Sequence, residues 1–508
     1  MGQEIELKLE VPAKTLGKLK RSLRRNGQAL DKELVSVYFD TAKHKLRRHG
    51  LSLRVRRIGD RRVQTVKAKG RSAFGLFERQ KWETPIRSHT PDLRAARRTP
   101  LGGLLSKKLA HALRPVFETR VHRTVLPLTP NGSRCELTLD HGDVRAGRKS
   151  APIDEVELEL KRGRPADLFS AARDLAKGVP ANLAARSKAD RGYDLLTGRP
   201  IAAVRAPEIA LDQRMSTGEA FHAIALGCLF HVAANHPAVR ARDCEGVHQM
   251  RVGLRRLRAA MAVFSDLLDD PDTARLKREL KWISGELAPA RDLDVYVRGS
   301  ISPLRHSLPD ERALDALEKH LDVRRTRAFA RAQHAVESAR YRAMLLDALG
   351  WIENGRWRTT GDELIAALRR RAVTAFARDE LARRSRKVGR RAGKLAKLDP
   401  RRRHKLRIAV KKLRYAAQFF AGLYEGRKAR KRLGGFERRL KTLQSCLGAL
   451  NDIRVHRELA EDLVGHHDAR RAFAVGLVAG REQTQARFAG ESAVRAAERF
   501  ARVRPFWN

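Results

Sequence analysis

The stretch Glu4-Ile5-Glu6-Leu7-Lys8-Leu9-Glu10 alternates charged and aliphatic residues over its whole length. Because the side chains of a β-strand point alternately to its two faces, this period of two predicts a strand with one charged and one aliphatic face. The same alternation recurs at 51–56, 63–69 and 155–161. The part of the chain up to about residue 197 is therefore predicted to be built around a sheet whose strands carry charged faces.

The charged faces have two possible environments. A solvated sheet face is the usual explanation for charge at alternate positions, and it would suffice for one strand alone. Several such strands favour another arrangement, because an outer face would set Glu beside Glu and Arg beside Arg, which like-charge repulsion penalises. We therefore expect the charges to line a wide, water-filled interior, while the aliphatic faces pack outward against helices such as 13–25. This part is predicted to be α+β.

The alternation stops at an Ala-, Pro- and Arg-rich stretch without a regular period, which predicts a linker over 198–211. Beyond it, apolar residues recur at helical spacing, so residues 212–508 are predicted to be all-α.

An internal repeat divides the helical part. Residues 248–258 match 404–414 at an offset of 156, and residues 287–295 match 447–455 at an offset of 160. Such self-similarity predicts two homologous helical halves, which we place at about 212–350 and 351–508.

Net charge points to an anionic partner. The 508 residues include 107 Lys and Arg against 58 Asp and Glu, a formal net charge of +49. Both parts share the excess, with 44 basic against 22 acidic residues up to residue 200 and 63 against 36 after it. A field of this size attracts polyanions, which nominates nucleic acid, polyphosphate or an anionic membrane.

The cysteines and the N-terminus suggest a location. The cysteines are far apart and form no C-x-x-C pair, which argues against disulfides and a zinc site and suits a reducing compartment. The N-terminus lacks the basic and then apolar pattern of a signal peptide, and no uninterrupted apolar run approaches the roughly 18 residues of a membrane span. We expect a cytoplasmic protein without a membrane span. The cysteines are Cys135, Cys228, Cys244 and Cys446.

The charged faces could act on a triphosphate. Such chemistry needs cations that hold the anionic chain and carboxylates that hold a divalent metal, Mg²⁺ or Mn²⁺. No Ser-His-Asp or Cys-His arrangement is visible in the sequence, which favours attack by a metal-positioned water over a covalent intermediate. The basic candidates are Arg54, Arg56, Lys67, Lys69, Arg79, Arg120 and Lys188. The acidic candidates are Glu4, Glu6, Glu78, Asp140, Glu155, Glu157 and Glu159.

These motifs resemble the CYTH domains, the triphosphate tunnel metalloenzymes. Residues 4–8 resemble the ExExK signature of that family, and the resemblance extends to about residue 197. It continues through Tyr38-Phe39-Asp40-Thr41, Leu53-Arg54-Val55-Arg56, Thr65-Val66-Lys67-Ala68-Lys69, a turn at Asp140-His141-Gly142, Glu155-Val156-Glu157-Leu158-Glu159, and Ser187-Lys188 to Tyr193.

The CYTH resemblance implies a fold, an activity and residue roles. The fold is an eight-stranded antiparallel β-barrel that forms a tunnel. The activity is metal-dependent hydrolysis of inorganic, nucleoside or thiamine triphosphates, with cyclic AMP synthesis in some members. The resemblance leaves open which of Glu155, Glu157 and Glu159 bind metal. By position it implies metal ligands at Glu4, Glu6, Asp140, Glu155 and Glu157, catalytic roles for Lys8, Arg56 and Lys188, and substrate contacts from Arg54, Arg56, Lys67, Lys69, Arg79 and Arg120.

Each helical half carries a basic stripe. The first four stripe residues recur at intervals of three, four and three, which confines them to about 80° of one helix, and the second half repeats the pattern. A basic face is ordinary on one exposed helix. Its duplication, His included, favours a groove for a flexible polyanion, and the scarcity of aromatic residues weakens single-stranded nucleic acid as that ligand. The stripes are His248, Arg251, Arg255 and Arg258, then His404, Arg407, Lys411 and Arg414, with Lys281 and Lys441 expected nearby.

The repeated segments resemble the CHAD domain, the conserved-histidine α-helical domain. This resemblance implies two four-helix bundles related by a pseudo-twofold axis and a role in binding polyphosphate. One His in each stripe, without adjacent acidic ligands, favours phosphate contact over metal binding. Asp292 and Asp452, at matched positions, are expected to pair with nearby arginines and position their helices.

The leading hypothesis is a metal-dependent triphosphatase that splits inorganic triphosphate into diphosphate and phosphate, held on long-chain polyphosphate by its helical domain. The alternative from another class is a non-catalytic polyphosphate-binding scaffold, associated with granules or not. Adenylate cyclase and thiamine triphosphatase activities are less favoured, the former because nothing identifies an adenine pocket. RNA binding through charge alone predicts that RNA and polyphosphate compete at similar strength.

Overall fold

The structure is a computed structural model that divides the chain into two compact units. It describes residues 2–25, 29–68, 71–73, 76–184, 186–198, 201–463 and 468–507, and of these the side chains of 2–4, 25, 71–73 and 76–79 lie outside the description. The units are Met1–Ala202 with Glu337–Asn354, and Ala203–Val336 with Gly355–Asn508. The predicted boundaries had assigned Glu337–Asn354 to the helical domain.

The first unit is α+β, as predicted. Its strands are β1 (Gly2–Glu10), β2 (Leu30–Asp40), β3 (Leu51–Ile58), β4 (Arg61–Ala68), β5 (Arg71–Ala73), β6 (Leu76–Ile86), β7 (Arg114–Leu128), β8 (Arg134–Ala146), β9 (Lys149–Arg162) and β10 (Asn182–Leu183). Its helices are α1 (Ala13–Arg25), α2 (Lys45–Arg48), α3 (Leu93–Arg97), α4 (Lys107–Ala112), α5 (Pro165–Gly178) and α6 (Lys188–Thr197), together with Ala339–Asn354.

Eight of these strands close into a ring. The pairing order is β1-β9-β8-β7-β2-β3-β4-β6, and a further pairing joins β6 back to β1. All these pairings are antiparallel, with Lys8 opposite Glu157 on one edge of β1 and Gly2 opposite Lys81 on the other. The short strands β5 and β10 attach outside the ring. The predicted eight-stranded antiparallel barrel is therefore confirmed.

The expected turn at 140–142 is wrong, because these residues lie inside β8, where Asp140 pairs with Glu155. Gly142 suggested a turn in the sequence. In the strand its missing side chain instead admits the Arg120 carbonyl oxygen, which would lie 2.0 Å from a Cβ atom at this position.

Strand β3 turns its aliphatic face outward. Leu53 and Val55 of β3 join Leu46 of α2 in a buried cluster that also includes residues of α3 and α4. Since successive side chains alternate across a strand, Arg54 and Arg56 point to the interior. The arrangement inferred from like-charge repulsion is the one observed in β3.

Helix α6 covers part of the barrel interior. Tyr193 packs edge-on against the Phe117 ring at 5.0 Å and donates a hydrogen bond to Asp40 at 2.7 Å. Gly192 permits this approach, because a Cβ there would lie 2.2 Å from the Phe117 ring. Ser187 caps the helix through a capping box, so Lys188 is its first residue.

The second unit is all-α, as predicted. Its helices are α7 (Thr217–Ala234), α8 (His236–Arg240), α9 (Cys244–Val263), α10 (Pro271–Glu286), α11 (Ala288–Tyr296), α12 (Ser302–Ser307), α13 (Arg312–Glu337), then, with Ala339–Asn354 of the first unit counted as α14, α15 (Arg356–Thr359), α16 (Glu363–Arg370), α17 (Val373–Ala392), α18 (Pro400–Phe420), α19 (Arg427–Leu463) and α20 (Ala469–Ala501).

Helix α7 is the most apolar of the long helices. The stretch Thr217–Arg240 is long and apolar enough to cross a membrane by length and composition, but 61% of its most apolar window is buried within the fold. Part of the predicted linker lies along it. The Val204 carbonyl oxygen is 3.0 Å from His231 Nε2 and accepts a hydrogen bond from Asn235 at 2.9 Å. These features are those of a core helix.

The two helical halves are related by a pseudo-twofold axis. An offset of 156 carries Thr217 at the start of α7 to Val373 at the start of α17. The residues just before these helices, Ser216 and Ala372, are related by the same offset and pair with each other in an antiparallel bridge. Two equivalent residues that meet in this way lie beside the axis of the repeat.

The halves differ where the offset changes to 160. The first half has two helices here, α10 and α11, whereas the second has the continuous 37-residue α19. Pro289 accounts for the break, because proline lacks the amide hydrogen of a helix interior. Its counterpart is Ala449, which has no such effect.

Candidate active site

The barrel interior gathers most of the predicted charged residues into one cavity. The cavity is about 70 Å³ in volume. The charged residues that line it are Glu6 and Lys8 of β1, Arg54 and Arg56 of β3, Lys67 of β4, Lys81 of β6, Arg123 of β7, Glu157 and Glu159 of β9, and Lys188 of α6.

Three buried carboxylates form the acidic side of this site. Asp140, Glu155 and Glu157 each offer an oxygen within 4.8 Å of the others. Lys188 reaches all three from α6, with its Nζ 2.7, 2.6 and 2.8 Å from Asp140, Glu155 and Glu157 respectively. Burial alone would lower the pKa of Lys188, but the three carboxylates outweigh it and raise the pKa above its ordinary value.

Two further cations complete the network. Lys8 Nζ lies 2.5 Å from Glu157 and 3.1 Å from Glu6. Arg123 donates to both Asp140 oxygens at 2.7 and 2.6 Å and to Glu157 at 2.7 Å. Although burial disfavours the charged forms, Arg123 with Lys188 lowers the pKa of Asp140, and Lys188 with Lys8 lowers that of Glu157. Both groups are therefore carboxylates at neutral pH.

The acidic side fits a divalent metal. Its ligand atoms are carboxylate oxygens, which Mg²⁺ and Mn²⁺ prefer. Glu6 Oε1 is buried and, among the described residues, makes an ion pair with Lys8 but accepts no hydrogen bond, so it retains a lone pair for a ligand. Asp140, Glu155 and Glu157, with Glu6 beside them, are the residues that would hold the ion.

The opposite side of the cavity is basic. Arg54, Arg56 and Lys67 project from the adjacent strands β3 and β4. Arg56 Nε donates to the Ser36 hydroxyl at 3.0 Å. Burial, followed by the nearby charges of Arg54 and Arg123, lowers the pKa of Arg56 to about 9. An anion in the cavity would relieve this repulsion.

The basic stripes of the helical unit face each other across its two halves. Arg251 lies 3.6 Å from Asp292, and the equivalent Arg407 lies 3.8 Å from Asp452, as expected for residues that position their helices. Burial, then the charges of Arg407 and Arg255, lower the pKa of Lys411 to about 7. Arg255 belongs to the first half, so the two stripes share one electrostatic environment.

Several donors in the stripes have no acceptor. Within the described helices, His248 Nδ1, Arg251 Nε, Arg407 Nε and Arg414 Nε are buried without a hydrogen-bond partner. Buried donors of this kind carry a desolvation cost that a bound anion would offset. His404 differs from His248, since its Nδ1 lies 3.1 Å from the Asn451 side-chain oxygen.

Comparison with known families agrees with both units. The model of the CYTH domain matches residues 2–193, and the model of the CHAD domain matches residues 223–461. The chain is a CYTH–CHAD protein. It is similar to the CHAD domain from the plant Ricinus communis, with 29% sequence identity and a TM-score of 0.50. The match covers 58% of this chain and 96% of the plant chain.

Two further relatives match parts of the CYTH–CHAD protein. It is 31% identical over 198 residues to an inorganic triphosphatase of Haemophilus influenzae, an alignment that takes in 38% of this chain and 55% of the relative. The chain thus spans about half the length of that curated relative. PptA of Streptomyces chartreusis is similar at 17% sequence identity, with a TM-score of 0.41. That match covers 56% of this chain and 99% of the PptA chain.

Some predicted residues of the CYTH–CHAD protein are not in the site. Arg120 was placed there wrongly, because its side chain is exposed on the outer face of β7 and pairs with Glu118. Lys281 and Lys441 are exposed, and no hydrogen bond or ion pair joins them to the stripes in the described helices. Arg258 is exposed near Lys412. Lys69 and the side chains of Glu4, Glu78 and Arg79 lie outside the described residues.

The sequence analysis missed Arg123, the main basic partner of Asp140. Arg120 and Arg123 are three positions apart on β7, so they face opposite sides of the sheet. The strand register decides between them, since Arg123 pairs with Asp140 and Arg120 with Asp143. A sequence signal was available: Asp140 was predicted to face the interior, and a buried carboxylate needs a basic partner on the neighbouring strand, which is Arg123.

Proposed function

We propose that the CYTH domain hydrolyses inorganic triphosphate to diphosphate and phosphate with a bound divalent metal, Mg²⁺ or Mn²⁺. The observation that carries the proposal is one cavity with a basic side, Arg54, Arg56 and Lys67, and an acidic side on which Glu157 lines the cavity. Buried Asp140 and Glu155 lie behind Glu157 in the same carboxylate cluster. A chain of phosphates suits such a division, because its oxygens would accept hydrogen bonds from the cations while the carboxylates would hold the divalent metal.

The proposed roles follow from position. Arg54, Arg56 and Lys67 bind the phosphate chain, whose negative charge would offset the burial and the neighbouring arginines that lower the pKa of Arg56 in the free protein. Asp140, Glu155 and Glu157 would hold a divalent metal, which would supply polarisation of phosphate oxygens and activation of the attacking water. Lys8 and Lys188 hold the carboxylates in place and stabilise charge that develops on the transferred phosphoryl group. The similarity to the triphosphatase of Haemophilus influenzae supports this substrate.

For the CHAD domain we propose the binding of long-chain polyphosphate at the two basic stripes. The unpartnered donors of His248, Arg251, Arg407 and Arg414 support an anionic ligand. Regular phosphates along a flexible chain suit two equivalent stripes without base recognition, so nucleic acid is expected to bind only non-specifically. We place the protein in the cytoplasm, where its four cysteines stay free.

Phosphate release tests the enzymatic proposal. Triphosphate, ATP and long-chain polyphosphate are each supplied with Mg²⁺, Mn²⁺ or EDTA, and Glu157→Gln serves as the site variant. Metal-dependent release that favours triphosphate and falls at least ~100-fold in the variant supports the proposal. No release from folded protein with any metal overturns it and leaves a non-catalytic polyphosphate-binding scaffold.

A further inference from the structure

The two CHAD halves differ in charge at one corner. We define the α17–α18 corner as residues 383–405, the end of α17, the loop and the start of α18. It holds twelve Lys or Arg residues against one Asp. The matched segment of the first half, 227–249, holds two Arg against one Asp and one Glu. The two stripes are related by the repeat, so they do not explain why this cluster of positive charge occurs in the second half only.

Most cations of this corner have no partner in the fold. Glu380 pairs with Arg383 and Arg384, and Asp399 pairs with Arg402. Seven others are exposed and form no ion pair with any residue that the structure describes: Arg386, Lys387, Arg390, Lys394, Lys397, Arg401 and Lys405.

An ordinary solvated helix face explains the corner poorly. Such faces mix both signs of charge, as α13 does, with six basic and four acidic residues over Arg312–Glu337. A run of like charge repels itself and destabilises the compact state, so it calls for a counter-charge from outside the fold.

The corner is continuous with the second stripe. Arg401, Arg403 and Lys405 flank His404 on α18, and the next turn carries Arg407. Between them lies no acidic residue. The corner also contains no Phe, Tyr or Trp for base stacking. A phosphate chain on the stripe can therefore continue along the corner, whereas the first half offers no such path.

We propose that the α17–α18 corner binds the part of a long polyphosphate chain that extends beyond the stripes, so that the chain leaves the domain over its second half only. This inference rests on the proposed polyphosphate binding by the stripes. It makes affinity depend on chain length, because only chains longer than the stripes reach the corner.

The test is affinity across a ladder of polyphosphate lengths, measured in EDTA so that no hydrolysis occurs. The corner variant combines Arg386→Ala, Arg390→Ala, Lys394→Ala and Lys397→Ala. The matched control combines Arg427→Ala, Lys428→Ala, Arg430→Ala and Lys431→Ala, which removes four exposed charges from the start of α19 in the same half. Circular dichroism checks both folds, and Lys394→Ala with Lys397→Ala replaces the corner variant if it is unfolded.

The expected result is a loss confined to long chains. The corner variant binds short chains as the wild type does, but its affinity no longer rises with length, and its salt dependence for long chains falls by a log–log slope of about 3. The control keeps most of the length dependence. Equal loss in both variants, no loss in the corner variant, or loss of short chains in folded protein overturns the proposal. The proposal is also overturned if the corner variant binds polyphosphate as the wild type does and loses affinity only for duplex RNA.

Wild-type protein that binds polyphosphate of no length would contradict the proposed function itself. That outcome differs from every failure of the corner alone, because in those cases the wild type still binds.

Discussion

The Lys188 ammonium lies within hydrogen-bond distance of three carboxylates that also suit a metal ion. A monovalent and a divalent cation thus compete for the same oxygens. In the metal-free site Lys188 keeps the buried negative charges neutralised, which is necessary because an uncompensated buried charge is strongly destabilising. A metal ion that takes these oxygens must displace the ammonium.

Lys188→Met should lower stability without metal and increase the effect of metal. Breaking this buried network is expected to cost about 3–5 kcal/mol, or about 10 °C in the melting temperature of a unit this size. Mn²⁺ should then raise the melting temperature by more than it does in the wild type. Differential scanning fluorimetry in EDTA and in Mn²⁺ measures both.

The control is Lys177→Met, which removes an exposed lysine of α5 that pairs only with exposed Asp174. It should leave both melting temperatures unchanged. Equal metal-induced shifts in wild type and Lys188→Met would contradict competition for the site.

The residues of the site were predictable by type and face, but not all by position. Alternation alone showed that Glu6, Lys8, Arg54 and Arg56 share charged faces. It could not show which arginine of β7 is interior, because that depends on the register with β8. Neither could it show that Lys188, on a helix, reaches the carboxylates, since helical periodicity contains no information on the partner.

Lys411 should make polyphosphate binding depend on pH. Burial, then the charges of Arg407 on the same helix and Arg255 of α9, lower its pKa to about 7. Arg414 acts in the same direction, whereas Asp452 of α19 opposes the shift. A bound polyanion favours the ammonium and raises this pKa, so binding takes up a proton. Affinity should be constant below about pH 7 and fall as pH rises above it, by up to about tenfold per unit.

Lys411→Arg should remove this dependence, because arginine stays charged across the range. Isothermal titration calorimetry between about pH 6 and 9, in buffers of different ionisation enthalpy, measures affinity and proton uptake together. Burial, then the charge of Arg291, lowers the pKa of His248 below its ordinary value and so away from that of Lys411. Persistent proton uptake in the arginine variant would assign the effect to another group.

At the scale of elements, the repeat predicts both the matched helices and their one difference. The sequence identifies Pro289 and Ala449 as counterparts, and the structure breaks the helix at the first and continues it through the second. Strand existence was equally clear from the period of two. The closing partner of β1 was not, because alternation fixes the face of a strand and not its neighbour.

Ala449→Pro should break α19 as Pro289 separates α10 from α11. Ala449 is exposed in the interior of a long helix, so the substitution is expected to cost about 3 kcal/mol through the lost hydrogen bond and the ring clash. Ala449→Gly, which keeps the amide, should cost about 1 kcal/mol. Urea denaturation of the three proteins gives the free energies of unfolding. Equal values for both variants would show that the kink is tolerated.

At the scale of the whole molecule, composition and repeats located two parts with different chemistry. The sequence did not predict that Glu337–Asn354 belongs to the first unit, where Asp347 lies 2.7 Å from Arg173 of α5. A helical period identifies the buried face of such a segment, but both units offer surfaces that could cover it. Tertiary packing alone makes the choice.

The two chemistries should be separable by substitution. Glu6→Ala should abolish triphosphate hydrolysis while retention on immobilised long-chain polyphosphate persists. Arg255→Glu with Lys411→Glu should weaken retention and lower its salt dependence by a slope of about 3, since two charges are reversed, while triphosphate turnover survives. Turnover and retention are measured on the same preparations. Loss of both functions in either variant would contradict the division of labour.

The ring closed by β1 also has a consequence for synthesis. This strand precedes the other seven strands of the ring in the sequence, yet it pairs with residues up to 160, so on the ribosome it must wait for both neighbours. An unpaired strand is prone to aggregate, and charges at alternate positions are a recognised protection against that. Glu6, Lys8 and Glu10 would then reduce aggregation of the nascent chain before the barrel is complete. The site can therefore form only after β9 and Lys188 of α6 have also left the ribosome, long after its first residues were made.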